Sequence, residues 1–304
     1  MPKINIQYRS LRMDSKRLKY WANNIIQWLL ILLITTSLAI CLRVFLFAVY
    51  SIPTPSMEPA IVAGDKVVMT KLIPGPRIIQ NFFSLYQGEK PDIKRLRGIR
   101  AIRQNDILIF NFPYSDWKRL QMDVNVFYAK RCVAIPGDTF LIENGIYKVK
   151  NSNAILGNRD KQEQLAAKDS GELKPAVYPC FPYDERFGWT MKNFGPFYLP
   201  KKQETLSIDS MNVLLYKRLI IYETDREITV HNGKVYLNDS LITSYTFQQN
   251  YYFMAGDYVF DSQDSRYWGL LPEDHIVGKV AFVWNTKDRH TGKKRWHRFL
   301  KAVK

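Results

Sequence analysis

The sequence is poor in the side chains that most often act as bases or metal ligands in enzymes. Histidine occurs only four times in 304 residues, as His231, His275, His290 and His297. These positions are a hairpin tip, the end of an acidic turn and a basic tail, so we expect all four to be surface residues. A serine triad built on histidine is therefore not favoured. The sequence also shows no metal-ligand spacing, no P-loop and no dinucleotide fingerprint, and we predict no metal and no cofactor.

Cysteine and acidic residues are also scarce. Three cysteines are an odd number for a disulfide framework, and we expect Cys132 and Cys180 to be free thiols. Acidic side chains number 28 against 44 lysines and arginines, which gives a net charge of +16. Such an excess of positive charge indicates nucleic acid or an anionic membrane surface as a partner.

A charge-free stretch near the N-terminus favours the membrane. Tyr20 to Leu42 carries no charge and is mostly apolar, and about 20 such residues suffice for a membrane helix. Because the preceding residues are basic, the positive-inside rule places residues 1–19 in the cytoplasm and the chain after residue 50 on the far side. A cleaved signal peptide is the alternative, but the small-x-small triplet Ser37-Leu38-Ala39 lies in mid-span. We therefore expect an uncleaved anchor over residues 20–50.

Two further basic segments bear on the choice of partner. Residues 74–104 are apolar in their first half and basic in their second, a pattern that suits a lipid surface and equally a solvated face. The tail after Asn285 is also basic, and we expect it to be solvated or lipid-facing. An anchored domain outside the cytoplasm meets little nucleic acid, so we predict membrane lipids, and no nucleic acid, as partners.

The rest of the chain predicts a mainly β body, barrel-like or sandwich-like. Two Asn-Gly pairs, at 144–145 and 232–233, each join two short apolar runs into a hairpin. The predicted strands are 66–70, 106–112, 130–135, 139–142, 146–149, 228–231, 234–237, 251–255 and 276–284. We predict a β core formed by residues 51–150 and 226–285, with an inserted cap subdomain at 151–225 and a basic C-terminal tail at 286–304.

A proline-rich strap, Ser51 to Pro59, connects the anchor to this core. Proline fixes its own φ angle and disfavours the α region for the residue before it, so the strap cannot be a helix. Residues two apart on an extended chain lie on one side, and Thr54 and Ser56 should therefore face the same way. One hydroxyl could attack a substrate while the other donates a hydrogen bond. A plain linker after an anchor would explain the strap equally well.

Four short motifs follow the anchor in a specific order. They are Thr54–Pro59 (TPSMEP), Gly64–Val68 (GDKVV), Lys130–Asp138 (KRCVAIPGD) and Gly256–Gly269 (GDYVFDSQDSRYWG). This ordered set resembles bacterial type I signal peptidase. The resemblance covers the anchor, the strap and the β core, and it leaves out residues 151–225.

The candidate nucleophile and base are Ser56 and Lys130. A serine is a weak nucleophile unless a base accepts its proton, and a lysine can do so when apolar burial keeps it neutral. Lys130 opens an apolar strand and shares a face with Cys132 and Ala134, where an extended peptide could approach. The resemblance assigns Lys130 the same role, as general base and later general acid. Without the other motifs, a Lys-Arg pair at a strand edge is usually solvated charge.

The oxyanion of the tetrahedral intermediate needs hydrogen-bond donors, and the Ser56 backbone N–H and the Thr54 hydroxyl are the candidates. A serine often occupies the Thr54 position in the family. The resemblance implies that Ser262 orients the lysine and that Asp264 and Arg266 form a structural pair behind the site. An ordinary surface ion pair is the alternative reading of those two residues.

The motif around Tyr258 and Val259 departs from the Asn-Arg that family members often carry, which concerns local packing more than catalysis. The resemblance implies a serine endopeptidase that removes signal peptides from exported preproteins, bound as an extended strand and cut after small residues. It would be a single-pass protein of the bacterial cytoplasmic (inner) membrane, and a monomer by default. A self-cleaving Ser/Lys peptidase of the repressor type and a non-enzymatic, anchored peptide-binding domain are the alternatives.

Overall fold

A computed structural model describes residues 15–81, 91–114, 117, 119–169, 171, 173, 178–289 and 291–303. These residues belong to two compact units, one ending at Val44 and one beginning at Phe45. The first unit holds helix α1 (Ser15–Phe45). Residues Arg17–Phe45 are long and apolar enough to cross a membrane, and side chains such as Trp28 are exposed. The predicted N-terminal helix is thus confirmed.

The second unit is mainly β, as predicted. Its strands are β1 (Phe47–Ser51), β2 (Asp65–Thr70), β3 (Arg77–Ile79), β4 (Ile93–Arg95), β5 (Ile107–Phe112), β6 (Asp123–Ala134), β7 (Thr139–Glu143), β8 (Ile146–Val149), β9 (Phe194–Tyr198), β10 (Thr205–Ser207), β11 (Ile228–His231), β12 (Lys234–Leu237), β13 (Ser240–Ile242), β14 (Ser244–Thr246), β15 (Tyr251–Ala255), β16 (Leu271–Pro272) and β17 (Ile276–Thr286). Among the described residues, three α-helices accompany them: α2 (Arg159–Ala167), α3 (Val213–Thr224) and α4 (Ser265–Trp268).

The central feature is a seven-stranded antiparallel sheet with the order β1-β2-β17-β5-β6-β15-β16. Among the described strands, β1 and β16 lie at its two ends, so these strands do not pair into a closed barrel. A three-stranded sheet β8-β7-β9, a second one β11-β12-β13 and the pairs β3-β4 and β10-β14 complete the unit.

Two hydrophobic clusters cover the two faces of the central sheet. Strand β5 is buried at every position because alternate residues enter different clusters. Ile107 and Ile109 pack with the strap residue Met57 and with Ile61, just beyond the strap, in the smaller cluster. Phe110 packs in the larger cluster, which also contains aromatic residues of the three-stranded sheet β8-β7-β9. The smaller cluster therefore attaches the strap to the sheet.

The predicted hairpins form as expected. Asn144 and Gly145 both have positive φ (49° and 82°) between β7 and β8, and the second Asn-Gly pair repeats this geometry between β11 and β12. A third two-residue turn, Asn238-Asp239, was not predicted because it contains no glycine; its φ angles of 44° and 64° join β12 to β13. Strand β6 begins at Asp123, earlier than the predicted start at residue 130.

The predicted insert contains α2, β9, β10 and α3, and it is connected to the core through strand pairing. Strand β9 extends the β7-β8 hairpin, and β10 pairs with β14. The bounds of a separate cap subdomain remain a prediction.

The prediction of residues 74–104 as an irregular and purely solvated or lipid-facing segment is wrong in part. Strands β3 and β4 form a short hairpin, and the guanidinium groups of Arg77 and Arg95 turn inward to backbone carbonyls. Arg77 donates to Asp274 O at 2.7 Å, and Arg95 donates to Glu273 O at 2.7 Å. The predicted lipid-facing apolar residues Phe82, Phe83, Leu85 and Tyr86 lie outside the described residues.

The surface prediction for histidine fails at one position. His231 and His297 are exposed, as expected, and His290 lies outside the described residues. His275 is fully buried, and its Nδ1 atom lies 2.8 Å from Asp274 Oδ1. It occupies a short 3₁₀ turn that leads directly into β17, and its ring lies 5.5 Å from the ring of Tyr222 in α3. The three cysteines are free thiols, which confirms the expectation for Cys132 and Cys180.

Candidate active site

The strap forms the start of a loop that connects β1 to β2 and closes on itself. Ile52 N–H donates to Asp65 O at 2.8 Å, and Gly64 N–H donates to Ile52 O at 2.9 Å. Between these ends the chain is turn and bend, not helix, as the prolines dictate. Buried Ile52 and Met57 hold the loop against the sheet, and Ser56 between them is 8% exposed.

Lys130 meets this serine from β6, 74 residues further along the chain. It pairs with Leu108 of β5 and is 4% exposed. Its Nζ atom lies 2.5 Å from Ser56 Oγ, and the Tyr128 ring centroid lies 5.6 Å from the same nitrogen. A nucleophile and a base are thus in direct contact, with an aromatic ring beside the amine.

Burial lowers the pKa of Lys130 from an ordinary value of 10.5 to about 8. The Asp264 carboxylate acts in the opposite direction and the Arg266 charge in the same direction, so these two effects oppose each other. An amine with a pKa near 8 is partly neutral at physiological pH, and only the neutral form can accept the serine proton.

Thr54 and the backbone of Ser56 are positioned to stabilise an oxyanion. The Thr54 Oγ1 atom lies 3.5 Å from Ser56 Oγ, so the two hydroxyls face the same way, as predicted. Within the described residues the Ser56 backbone N–H has no hydrogen-bond acceptor. Two donors are therefore free to point at an oxygen next to the nucleophile.

An open groove of about 270 Å³ borders the two hydroxyls and the amine. One wall is the end of β1 with the strap, and the other is the stretch Phe127–Lys130 of β6; the rings of Tyr50 and Phe127 approach to 5.0 Å. The predicted approach of a peptide along Cys132 and Ala134 is wrong, because both are fully buried and that part of β6 pairs with β15. The groove lies further towards the N-terminus of β6.

The residues of the last motif lie behind the site. Asp264 and Arg266 are fully buried and paired at 2.8 Å, which excludes the surface ion pair considered above. Burial by itself raises the pKa of Asp264, but the Arg266 charge and the hydrogen bonds outweigh it and the pKa lies below its ordinary value. Asp264 Oδ2 also accepts from Gly256 N–H at 3.0 Å.

Ser262 is buried beside this pair, and its contact with Lys130 is not formed. Its hydroxyl helps to lower the pKa of Asp264, yet no described residue meets the geometry of a hydrogen bond to it. A Cβ atom on Gly256 would come within 2.1 Å of Ser262 Oγ and 2.6 Å of Ser56 O. Glycine is therefore required where the last motif approaches the nucleophile.

Comparison with known proteins identifies the family. The family model described as "Signal peptidase, peptidase S26" matches residues 25–285 of the chain. The chain belongs to the S26 signal peptidase family. It is thereby a serine-type peptidase, and the resemblance to bacterial type I signal peptidase is confirmed.

Several bacterial relatives named signal peptidase I support the assignment. The Haemophilus influenzae protein is 26% identical over 276 residues, covering 86% of this chain and 71% of the relative. The Aquifex aeolicus protein is 25% identical over 243 residues, covering 80% and 77%. The protein of Buchnera aphidicola subsp. Schizaphis graminum is 24% identical over 244 residues, covering 80% and 69%.

Within this S26 peptidase, one pair near the site was missed in the sequence. Asp257 is 1% exposed and binds Arg131 through Oδ1 at 2.7 Å and Oδ2 at 2.6 Å. The pair connects the last motif to β6 immediately after Lys130. Tyr258 N–H donates to Ser56 O at 3.1 Å, so the altered Tyr258 position still contacts the nucleophile through its backbone. The available signal in the sequence was the opposite charge of Arg131, which follows Lys130, and Asp257, which follows Gly256.

Proposed function

We propose that this chain is a membrane-anchored endopeptidase that removes N-terminal signal peptides from exported preproteins, with Ser56 as nucleophile and Lys130 as base. The observation that carries the proposal is the direct contact between Lys130 Nζ and Ser56 Oγ at a buried position. The names of the bacterial relatives support the choice of substrate.

In the first half of the reaction, Lys130 accepts the Ser56 proton while Oγ attacks the scissile carbonyl carbon. The resulting oxyanion accepts hydrogen bonds from Thr54 Oγ1 and the Ser56 N–H. When the intermediate collapses, the C–N bond breaks and the Lys130 ammonium gives its proton to the leaving amine. An ester between Ser56 and the signal peptide remains.

In the second half, the neutral Lys130 accepts a proton from water as the water oxygen attacks the ester. Collapse of this second intermediate breaks the bond to Oγ, and the proton returns to Ser56. The same amine thus acts as base and acid in each half.

The substrate is an extended segment that lies in the groove between β1 and β6. Strand β6 pairs with β5 alone before Arg131, and β1 is an end strand of the described sheet, so a peptide could add main-chain hydrogen bonds there. We propose cleavage after small residues at the positions one and three before the bond.

The proposed location is the bacterial cytoplasmic (inner) membrane, crossed once by α1 with the N-terminus in the cytoplasm. Its length and apolar composition, together with the basic residues before it, support this orientation. The catalytic unit then works on the outer side, as a monomer, in contact with membrane lipids and without nucleic acid.

The test uses the full chain in detergent with a purified preprotein. Wild-type protein should produce a new mature N-terminus, identified by mass spectrometry, and Ser56→Ala and Lys130→Met should each abolish it. Ser240→Ala and Lys301→Ala are matched controls at exposed positions far from the dyad in sequence. Thermal unfolding shows whether each variant is folded. Cleavage by folded Ser56→Ala at the wild-type rate would refute the proposal.

A further inference from the structure

The C-terminal segment, described at residues 286–289 and 291–303, folds back onto the β unit instead of leaving it. It follows the family-matched residues 25–285 and was predicted to be a solvated or lipid-facing tail. Leu300 N–H donates to Val283 O at 2.8 Å, and Val303 N–H donates to Ala281 O at 3.0 Å. The Val303 side chain is 7% exposed and lies in the same hydrophobic cluster as Met57. The solvated-tail prediction is therefore wrong for Val303, whereas Leu300 is exposed.

Arg298 binds the far end of the loop that carries Ser56, which we call the Ser56 loop (residues 52–65). Arg298 is 5% exposed, and its guanidinium pairs with the Asp65 carboxylate at 2.6 Å. The same group donates to Ala60 O at 3.0 Å. Asp65 in turn accepts from Val62 N–H at 2.9 Å. One buried arginine thus fixes the returning half of the loop.

Other residues of the segment bind the two ends of the loop. Arg289 donates to Pro53 O, and Arg295 donates to Ala63 O at 3.3 Å. Lys287 N–H donates to Gly64 O at 3.2 Å, where a side chain on Gly64 would meet the Lys287 carbonyl. Pro53 O belongs to the peptide plane that leads into Thr54, so Arg289 acts on the plane next to an oxyanion donor.

We propose that the described residues of this segment, 286–289 and 291–303, form a positioning clamp that holds the Ser56 loop in register with Lys130. Arg289, Arg295 and Arg298 are its positioning residues. The proposal rests on the proposed dyad, because register with Lys130 matters only if Ser56 and Lys130 react together. A contact that merely stabilises the fold is the competing explanation.

The clamp has a specific physical reason. The Ser56 loop is closed at its base by two backbone hydrogen bonds, and its middle consists of turns that belong to no helix or strand. A displacement of about 1 Å at a catalytic group can lower the rate about 100-fold. Charged donors on the loop carbonyls resist such a displacement more strongly than neutral ones would.

The experiment compares Arg289→Ala, Arg298→Lys and the control Lys301→Ala, an exposed residue of the same segment. We measure kcat and KM for preprotein cleavage per folded molecule, together with amide hydrogen exchange of residues 52–65. The clamp predicts that Arg289→Ala, at an exposed position, keeps the wild-type melting temperature while kcat falls about tenfold and KM changes less than twofold. Exchange should accelerate in the Ser56 loop and not in β11–β13.

Arg298→Lys tests the buried contact. The lysine keeps a charge beside Asp65 but cannot form both contacts of the guanidinium. A further variant, Arg298→Met, removes the charge as well. The kcat of Arg298→Lys should therefore lie between those of the wild type and Arg298→Met. Wild-type kcat per folded molecule with unchanged loop exchange in both Arg289→Ala and Arg298→Lys would overturn the clamp. If Ser56→Ala still cleaves, the proposed dyad is refuted. The exchange measurement then still shows whether residues of the C-terminal segment hold the Ser56 loop in place.

Discussion

The protonation state of Lys130 should control the rate of preprotein cleavage below pH 8. Only the neutral amine can accept the Ser56 proton, and burial lowers its pKa to about 8. About 10% of the amine is then neutral at pH 7 and about 90% at pH 9, so kcat/KM should rise about tenfold between them. An ordinary lysine with a pKa of 10.5 would be neutral in only about 0.03% of molecules at pH 7.

The perturbation that tests this cause is the removal of the aromatic ring beside the amine. Tyr128→Ala should admit water to Lys130 and raise its pKa towards 10.5, because burial is the largest cause of the lowered value. A rise of about one unit would lower kcat/KM at pH 7 about tenfold while the rate at high pH changes less. Tyr128→Phe is the matched control, since it keeps the ring and loses only the hydroxyl that contacts Gln263.

The assay is cleavage of a preprotein followed from pH 6 to pH 10, with each enzyme's folding checked at every pH. The acid limb of kcat/KM should have a midpoint near 8 for the wild type and Tyr128→Phe, and a higher midpoint for Tyr128→Ala. A pH-independent rate between 6 and 9 would contradict the assignment of Lys130 as base. An unshifted midpoint in Tyr128→Ala with a lower plateau would show that the ring acts on substrate binding and does not shield the amine.

Three further outcomes are expected. Lys130→Met should raise the free energy of unfolding at pH 7 by up to about 3 kcal/mol. A lysine whose pKa is lowered on folding destabilises the protein at every pH below its folded pKa, and this destabilisation disappears as the pH rises from about 8 to 10.5. Urea unfolding at pH 7 and pH 10.5 measures the effect, and equal stabilisation at both pH values would contradict it. Thr54→Val should lower kcat about 100-fold with little change in KM, and Thr54→Ser should restore most of it; a wild-type kcat for the valine variant would remove Thr54 from the oxyanion site. Arg266→Met should lower the free energy of unfolding by about 3–5 kcal/mol because it leaves the Asp264 carboxylate buried without its partner, and the double variant with Asp264→Leu should recover part of that loss in urea unfolding.

The parts of the fold that depend on neighbouring residues could be predicted from the sequence. Asn-Gly fixes a two-residue hairpin through the φ angles of two adjacent residues, and alternating prolines exclude a helix in the strap. The contact of Ser56 with Lys130 was reached differently, through the resemblance of an ordered set of motifs. No spacing rule connects residues 74 positions apart.

The failures occurred where a distant segment decides the environment of a residue. His275 and Arg298 carry ordinary surface sequences around them, but the first is buried beside Tyr222 of α3 and the second pairs with Asp65. Arg95 was assigned to a basic surface, yet it binds carbonyls some 180 residues away in the chain. A charged side chain that binds buried carbonyls or carboxylates looks the same in a sequence as a solvated one.

The arrangement of charges around Lys130 explains why its amine can be neutral although carboxylates lie nearby. An unpaired carboxylate would hold the ammonium form and disable the base. Asp257 and Asp264 are instead bound to Arg131 and Arg266, at 2.6 Å and 2.8 Å. The Arg266 charge opposes the effect of Asp264 on the Lys130 pKa, and burial is then left as the dominant influence. Asp257 and Asp261 also favour the ammonium form, so burial lowers the Lys130 pKa against the influence of three carboxylates. The two buried ion pairs place a guanidinium beside two of these carboxylates, and they hold the last motif against β6.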